Sequence, residues 1–203
     1  MYEPFSTEQL SNGVGPHFYS GTNLSGGARR GLLAFAVHDS VPAGAVVERV
    51  DLRLNVSQIR EDSPRTFRLH RVLTRWGEGA SDAGTGGASH GGGSGVQAEP
   101  GDATWTWAVM DTAAWSAPGG DFAPLESAAA AVGPLGTVVW GSTTELVADV
   151  QQWVDDPGSS YGWALLGDEA QSGTAKRFDS RENAAPGLRP QLTVVYRMPT
   201  AFP

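Results

Sequence analysis

Two short motifs in this sequence have the form of acyl-transfer chemistry. Gly158-Ser159-Ser160-Tyr161-Gly162 satisfies the G-x-S-x-G pattern of a nucleophile elbow, and His90-Gly91-Gly92-Gly93 has the form of an esterase oxyanion hole. An elbow needs a strand before its serine and a helix after it. Here a helical pattern precedes Ser160 and a strand pattern follows, so the order is reversed. Hydrolases of that fold also place their histidine after the serine, whereas His17, His38, His70 and His90 all come before it. Ser160 therefore reads as part of a glycine-rich turn. Carboxylates for glycoside hydrolysis are present at Asp155-Asp156, Asp168-Glu169 and Asp102 with Asp111. On loops, such groups more commonly face water or cap helices and turns. The histidines show no metal-ligand spacing, and a chain with no cysteine has neither a thiolate ligand nor a thiol nucleophile. No catalytic residue and no cofactor is expected. A structural calcium ion held by loop oxygens fits the Asp- and Gly-rich loops, but no EF-hand spacing identifies its ligands.

The aromatic residues carry the clearer hint. Flat Trp and Tyr rings stack on the apolar faces of sugars while polar neighbours take the hydroxyls, and Trp105, Trp107, Trp115 and Tyr161 lie in or beside loops. These four are the candidate ligand-binding residues. The alternative is that they cover the ends of the core, and Trp105 and Trp107 would share one strand face. Trp76, Trp140, Trp153 and Trp163 sit in or next to predicted strands or the helix and are expected in the core.

The elements that must position these residues are mostly strands. His17–Ser20 and Arg30–Val37 read as the first two, and a turn follows over Asp39–Gly44. The clearest alternation is Val46, Val50, Leu52, Leu54 and Val56 on one parity, with Glu48 as its exception and Arg49, Asp51, Arg53 and Asn55 on the other. Thr66–Val72 alternates again, with Phe67 and Leu69 inward. From Gly77 to Asp121 the sequence turns to Gly, Ser, Ala, Asp and Thr, and residues 81–101 read as a long flexible Gly-rich excursion. One helix is expected, with Leu146, Val147, Val150, Trp153 and Val154 on one face and a capping box of Ser142 with Glu145 at its start. Strands over 162–166, 175–180 and 191–197 follow, and residues 198–203 read as a tail or linker. Many short strands, turns between them and a single helix predict an all-β fold. The expected form is a two-sheet, jelly-roll-like β-sandwich in a single domain over residues 1–203.

Composition bounds the partners. The formal net charge is −8, and Lys176 is the only lysine. Such a surface repels phosphate backbones, so nucleic acid is not an expected partner, and acidic polysaccharides are disfavoured on the same ground. The most apolar stretch, Ser127–Trp140, is broken by Gly133, Pro134 and Gly136, so no membrane insertion is expected. Met1-Tyr2-Glu3-Pro4-Phe5 has no basic-then-apolar leader pattern and reads as a domain already under way.

Arg177-Phe178-Asp179-Ser180-Arg181-Glu182, followed by Arg189-Pro190-Gln191-Leu192-Thr193-Val194-Val195-Tyr196, resembles the DNRLRE-type domains of bacterial and archaeal surface proteins. That group includes disaggregatase-related modules and family 96 carbohydrate-binding modules. Arg30–Phe35, Val41–Ala45, Trp76–Gly79, Gly101–Trp105 and Tyr161–Trp163 agree with it in order along nearly the whole chain. The resemblance implies a jelly-roll-like sandwich at the cell surface or outside the cell, with a non-catalytic role in glycan binding or surface architecture. Arg181 and Glu182 read physically as an ion pair near the rim of the sandwich.

The expected function is thus a non-catalytic extracellular module that binds polysaccharide or another surface component, such as a surface protein. Its rival is a structural subunit of a surface layer, sheath or filament that self-associates through exposed sheet edges. A small jelly-roll enzyme acting on polysaccharide ranks third, because no motif assembles a catalytic cleft.

Overall fold

The described residues form thirteen strands and one α-helix. They are β1 (Leu10–Ser11), β2 (His17–Thr22), β3 (Ala28–Leu33), β4 (Val46–Gln58), β5 (Arg65–Arg71), β6 (Val96–Gln97), β7 (Trp107–Val109), β8 (Ala113–Ala114), β9 (Ala128–Val132), β10 (Gly136–Trp140), α1 (Thr144–Asp155), β11 (Trp163–Leu166), β12 (Lys176–Asp179) and β13 (Gln191–Arg197). The computed structural model describes residues 1–84 and 93–199. Residues 85–92, with His90, and residues 200–203 of the tail lie outside the described residues.

Nine strands make one curled antiparallel sheet in the order β10-β4-β12-β2-β3-β11-β5-β9, with β13 also paired to β4. The curl turns it into a two-sheet sandwich. β2 and β3 pair only at Gly21↔Arg29 and Thr22↔Ala28, and that short contact is the corner where one sheet passes into the other. The all-β, jelly-roll-like architecture is the one the alternation predicts. Among the described residues no helix is long and apolar enough to cross a membrane.

β4 shows how the sequence pattern becomes a core. Val50, Leu52, Leu54 and Val56 are buried, while Asp51, Arg53 and Asn55 are only half-buried on the opposite face. The exception at Glu48 is a β-bulge: Glu48 and Arg49 are both exposed, and the register with β13 shifts between Val195 and Tyr196. Beyond the bulge Val47, not Val46, is buried, a correction to the parity read from sequence. Phe67, Leu69, Trp140, Trp153, Trp163 and Phe178 fill the space between the sheets. Trp76 departs from the expected core position: it is half-buried, packs on a second, smaller cluster, and donates its Nε1–H to the Tyr161 carbonyl at 2.7 Å.

Helix α1 starts one residue later than the capping-box reading places it. Thr143 is the N-cap, with its Oγ1 accepting the Leu146 amide at 3.0 Å and donating to the Ser127 carbonyl. Ser142 instead accepts the Val50 amide at 3.1 Å, so it caps a sheet edge. The local pattern S-T-T-E offers several capping residues, and tertiary contact decides among them.

On the buried face of α1 sits a group that periodicity does not reveal. Asp149, 8% exposed, accepts the Ser127 Oγ–H at 2.6 Å and the Trp163 indole N–H at 2.8 Å, and pairs with Arg71 Nε at 3.0 Å. Burial pushes its carboxyl above the usual carboxylate range, against the lowering pull of Ser127, Trp163 and Arg71. A raised native pKa means that the native state holds the proton at higher pH than the unfolded chain. Its contribution is therefore fully present below the unfolded value and is lost as pH rises through the native one. Asp149→Ala strands three partners and is expected to cost about 3 kcal/mol in urea unfolding. Asp149→Asn removes the titration, so its stability relative to the native protein improves as pH rises through the Asp149 pKa. Equal pH profiles for the two proteins contradict this assignment.

Candidate functional site

Beyond the Gly21–Arg29 corner, β2 and β3 belong to different sheets and splay apart. The gap between them is a cleft of about 950 Å³. Its apolar lining comes from Phe18 on β2 and from Leu33 and Phe35 at and after the end of β3. Phe18 stacks on Phe178 with centroids 5.5 Å apart and planes at 19°, and it occupies the space over Gly31. A Cβ at Gly31 would stand 2.6 Å from Phe18 Cδ2, so this position must be glycine for the ring to lie against the strand. Phe35 meets Trp163 edge-on at 6.4 Å.

One end of the cleft is built by the turn after α1. Pro157–Ser159 forms a single 3₁₀ turn, and Ser160 and Tyr161 follow on the wall. Gly162 adopts φ of +77°, and a Cβ there would come within 1.8 Å of the Leu33 carbonyl oxygen. The last glycine of the G-x-S-x-G pattern is thus a packing residue that lets the chain press against β3. Among the described residues Ser160 Oγ is buried with no hydrogen-bond partner, so no base among them is engaged with it.

The wall beside the start of β2 is polar. Asn12 donates its side-chain amide to the His17 carbonyl at 2.8 Å and accepts the Ala83 amide at 2.9 Å. Ser180 Oγ donates to the Gly15 carbonyl at 2.7 Å. Arg181 makes a bidentate pair with Glu78, at 2.9 and 2.7 Å, and a longer contact with Glu182 at 3.3 Å. The expected Arg181–Glu182 pair exists, but the better-formed partner is Glu78, more than half the chain away. His17 Nε2 lies 3.4 Å from Asp179 Oδ1. Burial and the Arg177 guanidinium push His17 below the ordinary imidazole value, with Asp179 pulling against them.

Of the four aromatic residues singled out in the sequence, Tyr161 lines this cleft and the three tryptophans do not. Trp115 is 6% exposed and donates its indole N–H to the Thr104 carbonyl at 2.9 Å. Trp105 lies under Arg30, whose Cζ is 4.7 Å from a ring centroid and whose guanidinium also grips Glu169 through two 2.7 Å bonds. Trp107 is half-buried in the β7–β8 hairpin. A bend at Trp105 and Thr106, closed by Thr104 Oγ1 accepting the Thr106 and Trp107 amides, takes Trp105 out of the strand that holds Trp107. Cleft residues Phe35, Trp76, His17 and Asn12 carried no sequence signal as a group, because the corner that gathers them is a tertiary feature.

The described parts of the Gly-rich excursion are tied down. Ser81 accepts the Gly13 amide on its Oγ and the Val14 amide on its carbonyl, and Ala98 donates to the Gln9 carbonyl. Asp102 is buried and accepts the Glu99 amide at 2.8 Å. Of the other carboxylates weighed for catalysis, Asp168 pairs with Arg65 at 3.2 Å, Glu169 with Arg30, and Asp155 accepts from Gln151. Lys176 is 1% exposed, with Nζ donating to the Glu61 and Gly133 carbonyls, so the chain's one lysine holds two loops together. Among the described residues no three His, Asp or Glu side chains gather as a metal-binding group.

No family model matches this sequence, and a search of curated proteins finds no match for it.

Gly31→Ala tests whether the Phe18 ring is held in place. The ring is backed by Phe178 and cannot retreat freely, so the substitution is expected to cost about 1–3 kcal/mol in urea unfolding. An unchanged midpoint means that Phe18 is free to move and the cleft lining is soft.

Proposed function

We propose that this chain is a non-catalytic binding module of a cell-surface or secreted protein, and that it takes an uncharged polysaccharide in the cleft between β2 and β3. The observation that carries this reading is the lining, in which aromatic Phe35, Tyr161 and Trp76 stand with polar Asn12, His17 and Ser180. Sugars need both kinds of contact, an apolar surface for ring C–H groups and hydrogen-bonding groups for hydroxyls. The acidic balance of the chain favours a neutral polymer over an anionic one.

The extracellular setting and the non-catalytic role rest on the resemblance to DNRLRE-type domains. The free Ser160 and the engaged carboxylates support the absence of catalysis. A calcium ion, if bound, would have a structural role in the loops.

Affinity electrophoresis against neutral and acidic polysaccharides, with and without calcium, tests the proposal. Retardation is expected on a neutral polymer. It should weaken about tenfold in Tyr161→Ala, the loss of one stacking contact, and stay unchanged in Trp107→Ala. Retardation abolished by Trp107→Ala and retained in Tyr161→Ala would move the site to the β7–β8 hairpin, and no retardation on any glycan would overturn the reading.

A further inference from the structure

Strand β13 has a hydrogen-bonded neighbour on one side only. It pairs with β4 from Gln191↔Arg53 to Arg197↔Val46, and among the described residues no other strand pairs with it. The backbone groups on its open side can be identified. The Val50 amide is taken by Ser142, just past the end of β10, so Val50 and its even-numbered neighbours on β4 direct their backbone groups toward β10. Arg49, Asp51 and Arg53 then face β13 and bond their register partners Val195, Thr193 and Gln191. By the same alternation, the N–H and C=O groups of Leu192 and Val194 point outward, away from β4.

This edge lacks most of the devices that block sheet-to-sheet association, the exception being the β4 bulge opposite Val195 and Tyr196. It carries no lysine, no proline within its length and no inward-pointing charge. Val195 is 45% exposed and Tyr196 37%. Pro190 and Pro199 bracket the strand, so they end a ladder without interrupting it.

We propose that β13 is a self-association edge, at which two copies of this chain pair antiparallel about a two-fold axis at Val194 and join their sheets into one. Full overlap of the strand with itself fixes this register. Val194 exchanges both backbone bonds with Val194 of the partner subunit, and Leu192 bonds the partner's Tyr196. On the outer face Thr193 meets the partner's Val195, and Gln191 meets the partner's Arg197. A polar amide thus stands opposite each guanidinium, and no like charges oppose one another. The edge is self-complementary in backbone and in side chains, which is what an isologous contact requires. The inference is independent of what the β2–β3 cleft binds.

Sedimentation equilibrium on the full chain, from micromolar to millimolar concentration, tests it. A monomer–dimer equilibrium is expected. Val194→Pro removes an outward N–H and should abolish the dimer, with the monomer's circular dichroism and unfolding midpoint as the check on folding. The register itself is read by exposed changes at one position. Gln191 accepts from Arg53 and Arg197 pairs with Glu48 within each chain, so Gln191→Glu adds a shared carboxylate beside the partner's Arg197, twice by symmetry, and should tighten the dimer about threefold, while Gln191→Arg should weaken it by a similar factor. A chain that stays monomeric at millimolar concentration overturns the proposal. So does a dimer indifferent to both Gln191 substitutions.

Discussion

One buried carboxylate holds the β3-β11-β5-β9 layer of the sandwich to the helix. Asp149 projects from α1 into the core and ties together Ser127 ahead of β9, Arg71 at the end of β5 and the indole of Trp163 on β11. Each is a donor that would otherwise be buried and unpaired, and each fixes a different strand relative to the helix. The ionised group is costly in this setting, which its raised pKa records. The gain is geometric: the Trp163 ring is fixed both against Trp153, with centroids 4.5 Å apart, and against Phe35 in the cleft. Rigid seating of Trp163 places the Gly162 backbone on β3 and so places Tyr161 and Ser160 on the cleft wall.

The cleft itself follows from how a single sheet becomes a sandwich. β2 and β3 share only two register pairs before they must diverge into opposite layers, and divergence leaves a wedge-shaped gap. Glycines govern how closely its walls approach. Gly31 admits the Phe18 ring, and Gly162 admits the turn that carries Tyr161. Side chains on fixed strands line a gap of this kind, so a ligand meets a largely preformed surface and little ordering cost. The loop tryptophans lie away from this gap: Trp105 stacks on Arg30, and Trp115, bonded to Thr104, belongs to a second small core with Ala164 and Val72.

Much of the fold was legible because alternation and turn residues act locally. Val50, Leu52, Leu54 and Val56 declare their face, and the Leu146–Val150–Trp153 spacing declares the helix. The Glu48 bulge was visible as a break in parity, though only the pairing with β13 shows which neighbouring valine turns inward. Asp149 was not legible, since an acidic residue on a mid-helix position is ordinarily solvated and its buried partners lie 14, 22 and 78 residues away in sequence. The same limit applied to the candidate site. Tyr161 could be picked out beside a turn, but neither the Arg30 that covers Trp105 nor the Thr104 carbonyl that Trp115 bonds leaves a local pattern in sequence. Burial of Lys176 was equally silent, although it removes the only ammonium side chain from the surface.

The central claim is that the gap between β2 and β3, and not the tryptophan-bearing loops, is where a neutral glycan contacts this protein. A ¹H–¹⁵N correlation titration with a neutral oligosaccharide addresses it directly, because the seven tryptophan indoles report from both regions at once. The account predicts shifts at the Trp76 indole and at the amides of Leu32–Phe35 and Gly158–Tyr161, with the indoles of Trp105, Trp107 and Trp115 unmoved. Shifts centred on those three indoles, with the cleft silent, would contradict it.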